Sequence, residues 1–199
     1  MCGRFYIEKD DPTEELVKII EEIQKKLKDD VNEPSIKQGE IFPTDVVPII
    51  ARNKSGVPRP FAMKWGFSKF NSKGVIINAR SETVMEKSMF RQPMLERRCL
   101  IPASHYFEWQ AADGHKIKHA IRDPKSSLIY MAGCYRWEKE SKQPQFVILT
   151  REAAPGLQFI HERMPVILTK DAHEAWLSDS TDITGIIHAS MQDLTAQAV

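Results

Sequence analysis

From Val46 onward the chain is a succession of short apolar or alternating runs: Val46 to Arg52, Pro60 to Phe67, Val75 to Ala79, Arg98 to Pro102, His105 to Gln110, His115 to Arg122, Leu128 to Arg136 and Gln145 to Thr150. Each has the length of a strand, and brief turns separate them. Many short strands joined in this way predict an antiparallel, barrel-like β-sheet. Before them, after a short apolar start at Cys2 to Ile7, Asp11-Pro12-Thr13-Glu14 reads as a helix N-terminus, with Asp11 as cap and Pro12 at the first helical position. Leu16, Ile19, Ile20, Ile23 and Leu27 then keep helical spacing, giving an amphipathic helix that ends near Asp29 and Asp30. Two more helices are expected near Ser81 to Phe90 and near Asp171 to Leu177, where Asp171 and Glu174 have the spacing of a capping box. The fold class is therefore α+β, a barrel-like sheet with peripheral helices.

With 199 residues, 42% of them hydrophobic, the chain suits one compact domain over residues 1–199. No repeat or linker argues for a second. The longest apolar runs fall far short of the roughly 20 residues that cross a bilayer, so no membrane partner is expected. Three cysteines, Cys2, Cys99 and Cys134, are odd in number and widely spaced. With no leader and no C-x-x-C, they point to a reducing, cytoplasmic setting. No long apolar stripe is left over after the core is assigned, so a monomer is expected.

The net charge of +1 hides an asymmetry: residues 51–100 hold eleven Lys and Arg against three Asp and Glu, a local net of +8. Such an excess is the electrostatic footprint of a polyanion partner. Aromatics share the stretch in Lys64-Trp65-Gly66-Phe67 and Phe90-Arg91, and cations interleaved with rings are how unpaired nucleic acid is held.

Cys2 is unusual by position, because removal of Met1 would leave a cysteine with a free α-amine beside its thiol. These titrate at about 7.7–8.0 and about 8.5, so both nucleophiles are partly available at neutral pH. Such a 1,2-aminothiol condenses with an aldehyde through nitrogen and then closes through sulfur to a thiazolidine. Three further polar residues interrupt apolar stretches in which an unpaired polar group is costly: Asn78, Glu108 and His161. Glu108, between Phe107 and Trp109, suits proton transfer, and His161 suits acid or base work near neutrality. His115 and His119 lie on a strand-like stretch with no third ligand at a recognisable spacing, so no metal is expected. No Walker loop, G-x-G-x-x-G or G-x-S-x-G is present, which removes support for nucleotide hydrolysis, dinucleotide redox chemistry and α/β-hydrolase catalysis, and no cofactor is expected.

Four blocks together resemble the SOS-response-associated peptidase (SRAP) family: Met1-Cys2-Gly3-Arg4-Phe5, Ile77-Asn78-Ala79-Arg80-Ser81-Glu82-Thr83, Arg98-Cys99-Leu100-Ile101-Pro102-Ala103 leading into Tyr106-Phe107-Glu108-Trp109, and Ile160-His161-Glu162-Arg163-Met164-Pro165-Val166-Ile167-Leu168. They run in the expected order over nearly the whole chain. The resemblance implies a sensor of abasic sites in single-stranded DNA that crosslinks to the lesion through Cys2. It implies that Asn78 holds Cys2, that Glu108 manages the amine and sugar protons, and that His161 assists sugar ring-opening and Schiff-base exchange. It further implies that Arg80 grips the phosphate beside the lesion and that Arg4, Pro43, Trp65, Arg91, Trp109 and Thr150 line the DNA groove. The family name implies a peptidase-like or lyase-like activity, with self-removal of residues before the cysteine. The chain departs from the family pattern at Ser104-His105, at Trp65-Gly66-Phe67-Ser68 and at Glu40. Two other functions compete: a thiol autopeptidase using Cys2 with His161, and a noncovalent reader of DNA ends or junctions.

Overall fold

A computed structural model of the chain describes residues 2–27, 35–69, 72–112, 114–138, 143–178 and 182–199. Its centre is a ring of five strands: β3 (Val46–Arg52), β4 (Pro58–Trp65), β12 (Pro144–Glu152), β11 (Ile129–Trp137) and β8 (Arg98–Ala103), in which β8 returns to β3. Closure removes the open edges that a flat sheet would expose. Most neighbours are antiparallel, as the short turns predict, but β12 departs from that rule. Along one of its edges it runs parallel first to the end of β4, with Phe146 opposite Trp65, and then to β7 (Asn78–Arg80), with Ile148 opposite Asn78.

Between those pairings the chain makes an excursion containing the small hairpin β5 (Phe67–Ser68) and β6 (Val75–Ile76). It leaves at Gly66, whose φ of 110° suits glycine alone and whose missing Cβ would sit 2.8 Å from Val75 Cβ. The expected strands 60–67 and 75–79 are each split for this reason. On its other edge β12 pairs with β11 and then with β13 (Arg163–Pro165).

A second sheet of five strands is ordered β14 (Thr195–Ala198), β10 (His115–Arg122), β9 (His105–Ala112), β1 (Arg4–Ile7) and β2 (Gly39–Ile41). The chain passes from barrel to second sheet at Ser104, between β8 and β9, where the Ser104 N–H donates to the Tyr6 carbonyl at 2.8 Å. It passes back through the turn between β2 and β3. There Thr44 has a φ of 77°, the Asp45 carboxylate accepts the Phe42 N–H at 2.9 Å, and Thr44 N–H donates to the Trp65 carbonyl at 2.9 Å.

Helix α1 (Glu14–Leu27) packs on β3 and β4 through buried Leu16, Ile20 and Ile23. Its cap is Thr13, whose hydroxyl accepts the Leu16 N–H at 3.3 Å, so the helix starts later than Asp11-Pro12 suggests. The expected end at Asp29 and Asp30 lies outside the described residues. The helix read at 81–90 is displaced: residues 81–86 form consecutive turns, and α2 (Ser88–Glu96) runs on through Pro93. Helices α3 (Ala172–Leu177) and α4 (Ile183–His188) follow the barrel, and Asp171 makes no capping hydrogen bond to α3. The guanidinium of Arg98 lies between the ends of α2 and α3 and donates to the carbonyls of Met94 at 2.7 Å, Trp176 at 2.6 Å and Ser178. Carbonyls left over at helix ends thus compensate its buried charge. Among the described residues no helix is long and apolar enough to cross a membrane.

Candidate functional site

The barrel and the second sheet meet where β1 begins, and Cys2 lies there, 0% exposed. Its thiol points back to the Arg4 carbonyl at 3.6 Å. Asn78 opens β7 as the chain rejoins β12, and its Nδ2 donates to the Cys2 carbonyl at 2.8 Å. That bond fixes the orientation of the amide, because only nitrogen can donate to a carbonyl. Oδ1 is therefore the other end of the side chain, a buried acceptor with no hydrogen-bond partner among the described residues, held beside Cys2. A native fold rarely leaves such an atom without a role.

Glu108, on β9, is 5% exposed, and one carboxylate oxygen accepts the Trp109 N–H at 3.2 Å. The preceding residue, Phe107, is paired with Arg4, so Glu108 lies at the level where Gly3 and Cys2 lead into β1. Electrostatics show the same proximity. Burial, followed by the Glu108 charge, pushes the Cys2 thiol far above the ordinary range. Burial also pushes the Tyr106 phenol up, with Cys2 and Glu108 adding to it. At neutral pH Cys2 is thus a thiol rather than a thiolate.

His161 follows a 3-10 turn at Pro155–Leu157 and is half-buried. Its Nδ1 accepts the Arg163 N–H at 2.9 Å, which in the neutral ring leaves the proton on Nε2. Arg163 is itself braced: its guanidinium forks onto Glu82 at 2.7 and 2.9 Å and onto the Thr150 carbonyl at 2.8 Å. Hydrogen bonds from Arg163 hold the Glu82 carboxyl below the usual carboxylate range. The segment carrying His161 reaches the sheet through Phe159, whose ring meets His119 edge-on at 6.0 Å, and His119 is the cross-strand partner of Glu108. Glu82 and Arg163 escaped the sequence reading as individual residues, although both lie inside its motif blocks.

The outer face of the second sheet adjoins this centre. The Arg4 guanidinium lies 4.1 Å over Phe42 and 5.5 Å over Trp109 and bonds Glu40 at 3.0 Å. Pro43 is half-buried in the neighbouring turn, and Arg80 and Arg91 are exposed. Two expected groove residues are placed differently. Trp65 is 0% exposed, packed on Phe5 and Phe146 with its Nε1–H on the Ile77 carbonyl at 3.1 Å, so it offers no ring face to a base. Thr150 is also 0% exposed and acts inside the fold as an acceptor for Arg163. Lys118, not singled out from the sequence, lies on the same face: its ammonium lies 3.7 Å over Phe107 and bonds Glu40 at 2.8 Å. It sits in the alternating Lys116-Ile117-Lys118, which carries no signal beyond that of a solvated strand face.

Comparison with known proteins bears on this arrangement. The chain is 31% identical over 207 residues to the abasic site processing protein YoqW of Bacillus subtilis, covering 98% of this chain and 88% of that one. It is 40% identical over 107 residues to the abasic site processing protein YoaM of the same organism, covering 52% of this chain and 47% of that one. Among solved structures, a Bacteroides thetaiotaomicron protein superposes with a TM-score of 0.77 at 22% identity, over 100% of this chain and 92% of that one. A phage-related protein from Bordetella bronchiseptica gives 0.77 at 22%, over 100% and 94%. These two show the same fold. The family model for SOS response associated peptidases matches residues 1–199, so every element that builds the Cys2 centre falls within it, and the chain belongs to that family.

Proposed function

We propose that this protein processes abasic sites in single-stranded DNA by forming a thiazolidine between Cys2 and the lesion. The observation that carries the reading is the buried Oδ1 of Asn78, without a hydrogen-bond partner among the described residues, beside the cysteine of Met1-Cys2-Gly3-Arg4. The likeness to YoqW and YoaM, which are named abasic site processing proteins, supports it.

Removal of Met1 exposes the α-amine. In the closed sugar the C1′–O4′ bond breaks, O4′ takes a proton from His161 Nε2, and the C1′ hydroxyl gives its proton back to that nitrogen to leave the aldehyde. Glu108 accepts a proton from the Cys2 ammonium, and the amine adds to C1′. Loss of water gives the imine. Sγ then adds to C1′ while the thiol proton goes to nitrogen, closing the five-membered ring. The raised thiol pKa suits this order, because sulfur stays protonated until an electrophilic imine is in place and then supplies the proton the nitrogen needs. Under the autopeptidase reading the buried thiol would need a general base to take its proton during attack.

The test is incubation with a single strand carrying one abasic site. The native protein should give a denaturation-resistant adduct without reductant. Cys2→Ser should give one only after borohydride traps its imine. A Cys2→Ser adduct that is equally stable without reductant overturns the ring closure.

A further inference from the structure

The outer face of the second sheet holds a constellation that the chemistry at Cys2 does not use. Arg4 from β1 and Lys118 from β10 both donate to one oxygen, Glu40 Oε1, at 3.0 and 2.8 Å. Two cations from separate strands meeting on a single oxygen is the arrangement a phosphate oxygen would take. We propose that Glu40 occupies a phosphate site made by Arg4 and Lys118, and that a phosphodiester of single-stranded nucleic acid binds there by displacing the Glu40 carboxylate. The inference rests on the function proposed above for its ligand.

Three observations support it. First, each cation has a hold besides Glu40. Arg4 lies over Phe42 at 4.1 Å and Trp109 at 5.5 Å, and Lys118 lies over Phe107 at 3.7 Å and Trp109 at 5.9 Å. Rings beneath a cation hold it by their quadrupole and leave its N–H groups pointing outward. Second, Glu40 can leave. It sits on β2, a three-residue strand at the edge of its sheet, and its side chain is 30% exposed. Third, Trp109 is half-buried beside both cations, so a base following the bound phosphate has a ring to stack on. The Glu40 carboxyl lies below the usual range: burial would raise it, and bonds from Lys118 and Arg4 outweigh that. It is therefore charged at neutral pH and competes with phosphate.

The experiment measures binding of unmodified oligothymidylate by fluorescence anisotropy over a salt series, with the full chain. Each exposed ion pair released by Glu40→Gln adds roughly 1.5- to 5-fold, so this variant should bind about 2- to 25-fold tighter at low salt. The slope of log K against log salt should steepen by about 0.7 for each phosphate newly neutralised. Lys118→Gln should weaken binding and flatten the slope by a similar amount, and in the double variant most of the gain should vanish. Glu22→Gln removes the same charge on α1, where Glu22 pairs with Lys26, and should leave binding unchanged. Native protein that does not hold the oligomer overturns this site, while the adduct on abasic DNA decides the proposed function separately. Native binding with Glu40→Gln no tighter than Glu22→Gln, or a gain that survives intact in the Lys118 double variant, overturns this site alone.

Discussion

Replacing Asn78 separates the two ends of its amide. In Asn78→Ala the Cys2 carbonyl loses its donor at 2.8 Å, in a place where the backbone is buried. A buried acceptor left without its bond costs about 1–3 kcal/mol. For a chain of this size that corresponds to a fall in melting temperature of roughly 2–12 °C. The Oδ1 end makes no hydrogen bond to the described residues of the resting protein. If it meets the reacting amine or sugar only during crosslinking, its loss appears in the rate, and about 1–3 kcal/mol corresponds to roughly 5- to 150-fold. Asn78→Asp keeps the shape but presents a second acceptor to the Cys2 carbonyl and a second carboxylate near Glu108. It should be slower than Asn78→Ala at pH 7. It should recover as the pH falls and the new acid gains a proton to donate, whereas Asn78→Ala should not recover. The assay is the single-turnover rate of adduct formation on abasic single strands at pH 5 to 8, alongside thermal melts. An Asn78→Ala rate within twofold of native, or identical pH profiles for the two variants, would refute the reasoning.

Three further outcomes are expected. Gly133→Ala should cost about 2–4 kcal/mol in urea unfolding, because the new Cβ would lie 2.5 Å from the Val147 carbonyl oxygen and 2.6 Å from Ile101 Cδ1 on the barrel wall; a loss under about 0.5 kcal/mol would mean that β11 yields there. Burial pushes the Cys2, Cys99 and Cys134 thiols upward, so the unfolded chain releases these protons first and stability, intact well below the ordinary thiol pKa of about 8.5, should fall above it by up to about 4 kcal/mol per pH unit for the three together; Cys2→Ala should remove about a third of that slope, and a urea midpoint flat from pH 8 to 10.5 would contradict it. Arg163→Lys breaks the fork on Glu82 while keeping the charge and the backbone N–H to His161 Nδ1, and it should slow crosslinking several-fold and shift the pH–rate profile with little loss of DNA affinity; an unchanged profile would show that the brace does not position His161.

What could be read from the chain follows the range of the forces involved. The stripe Leu16, Ile20 and Ile23 and the alternating runs that became β8 to β12 are local patterns, and they lie where periodicity puts them. The break at Gly66 and the parallel pairings of β12 depend on contacts between segments apart in sequence, which no short window contains. Short β2, β13 and β14 carry too few residues to show a period. At the site, Cys2, Asn78 and Glu108 stood out because each is a polar or reactive group in an apolar setting, and the fold brings them together. Trp65 misled, because a tryptophan among cations has the same signature whether its ring faces solvent or the core, and only the contacts with Phe5 and Phe146 decide. Glu40 and Lys118 are ordinary surface residues until β1, β2, β9 and β10 are paired.

The most direct test of the central claim is the intact mass of the product formed by protein confirmed to lack Met1 and a single-stranded oligonucleotide bearing one abasic site. The account predicts a species that survives heating, with the summed mass of protein and DNA less one water, mapped to Cys2 and absent from Cys2→Ala. A fully processed sample that yields no such species, or a Cys2→Ala protein that yields it undiminished, would contradict the account.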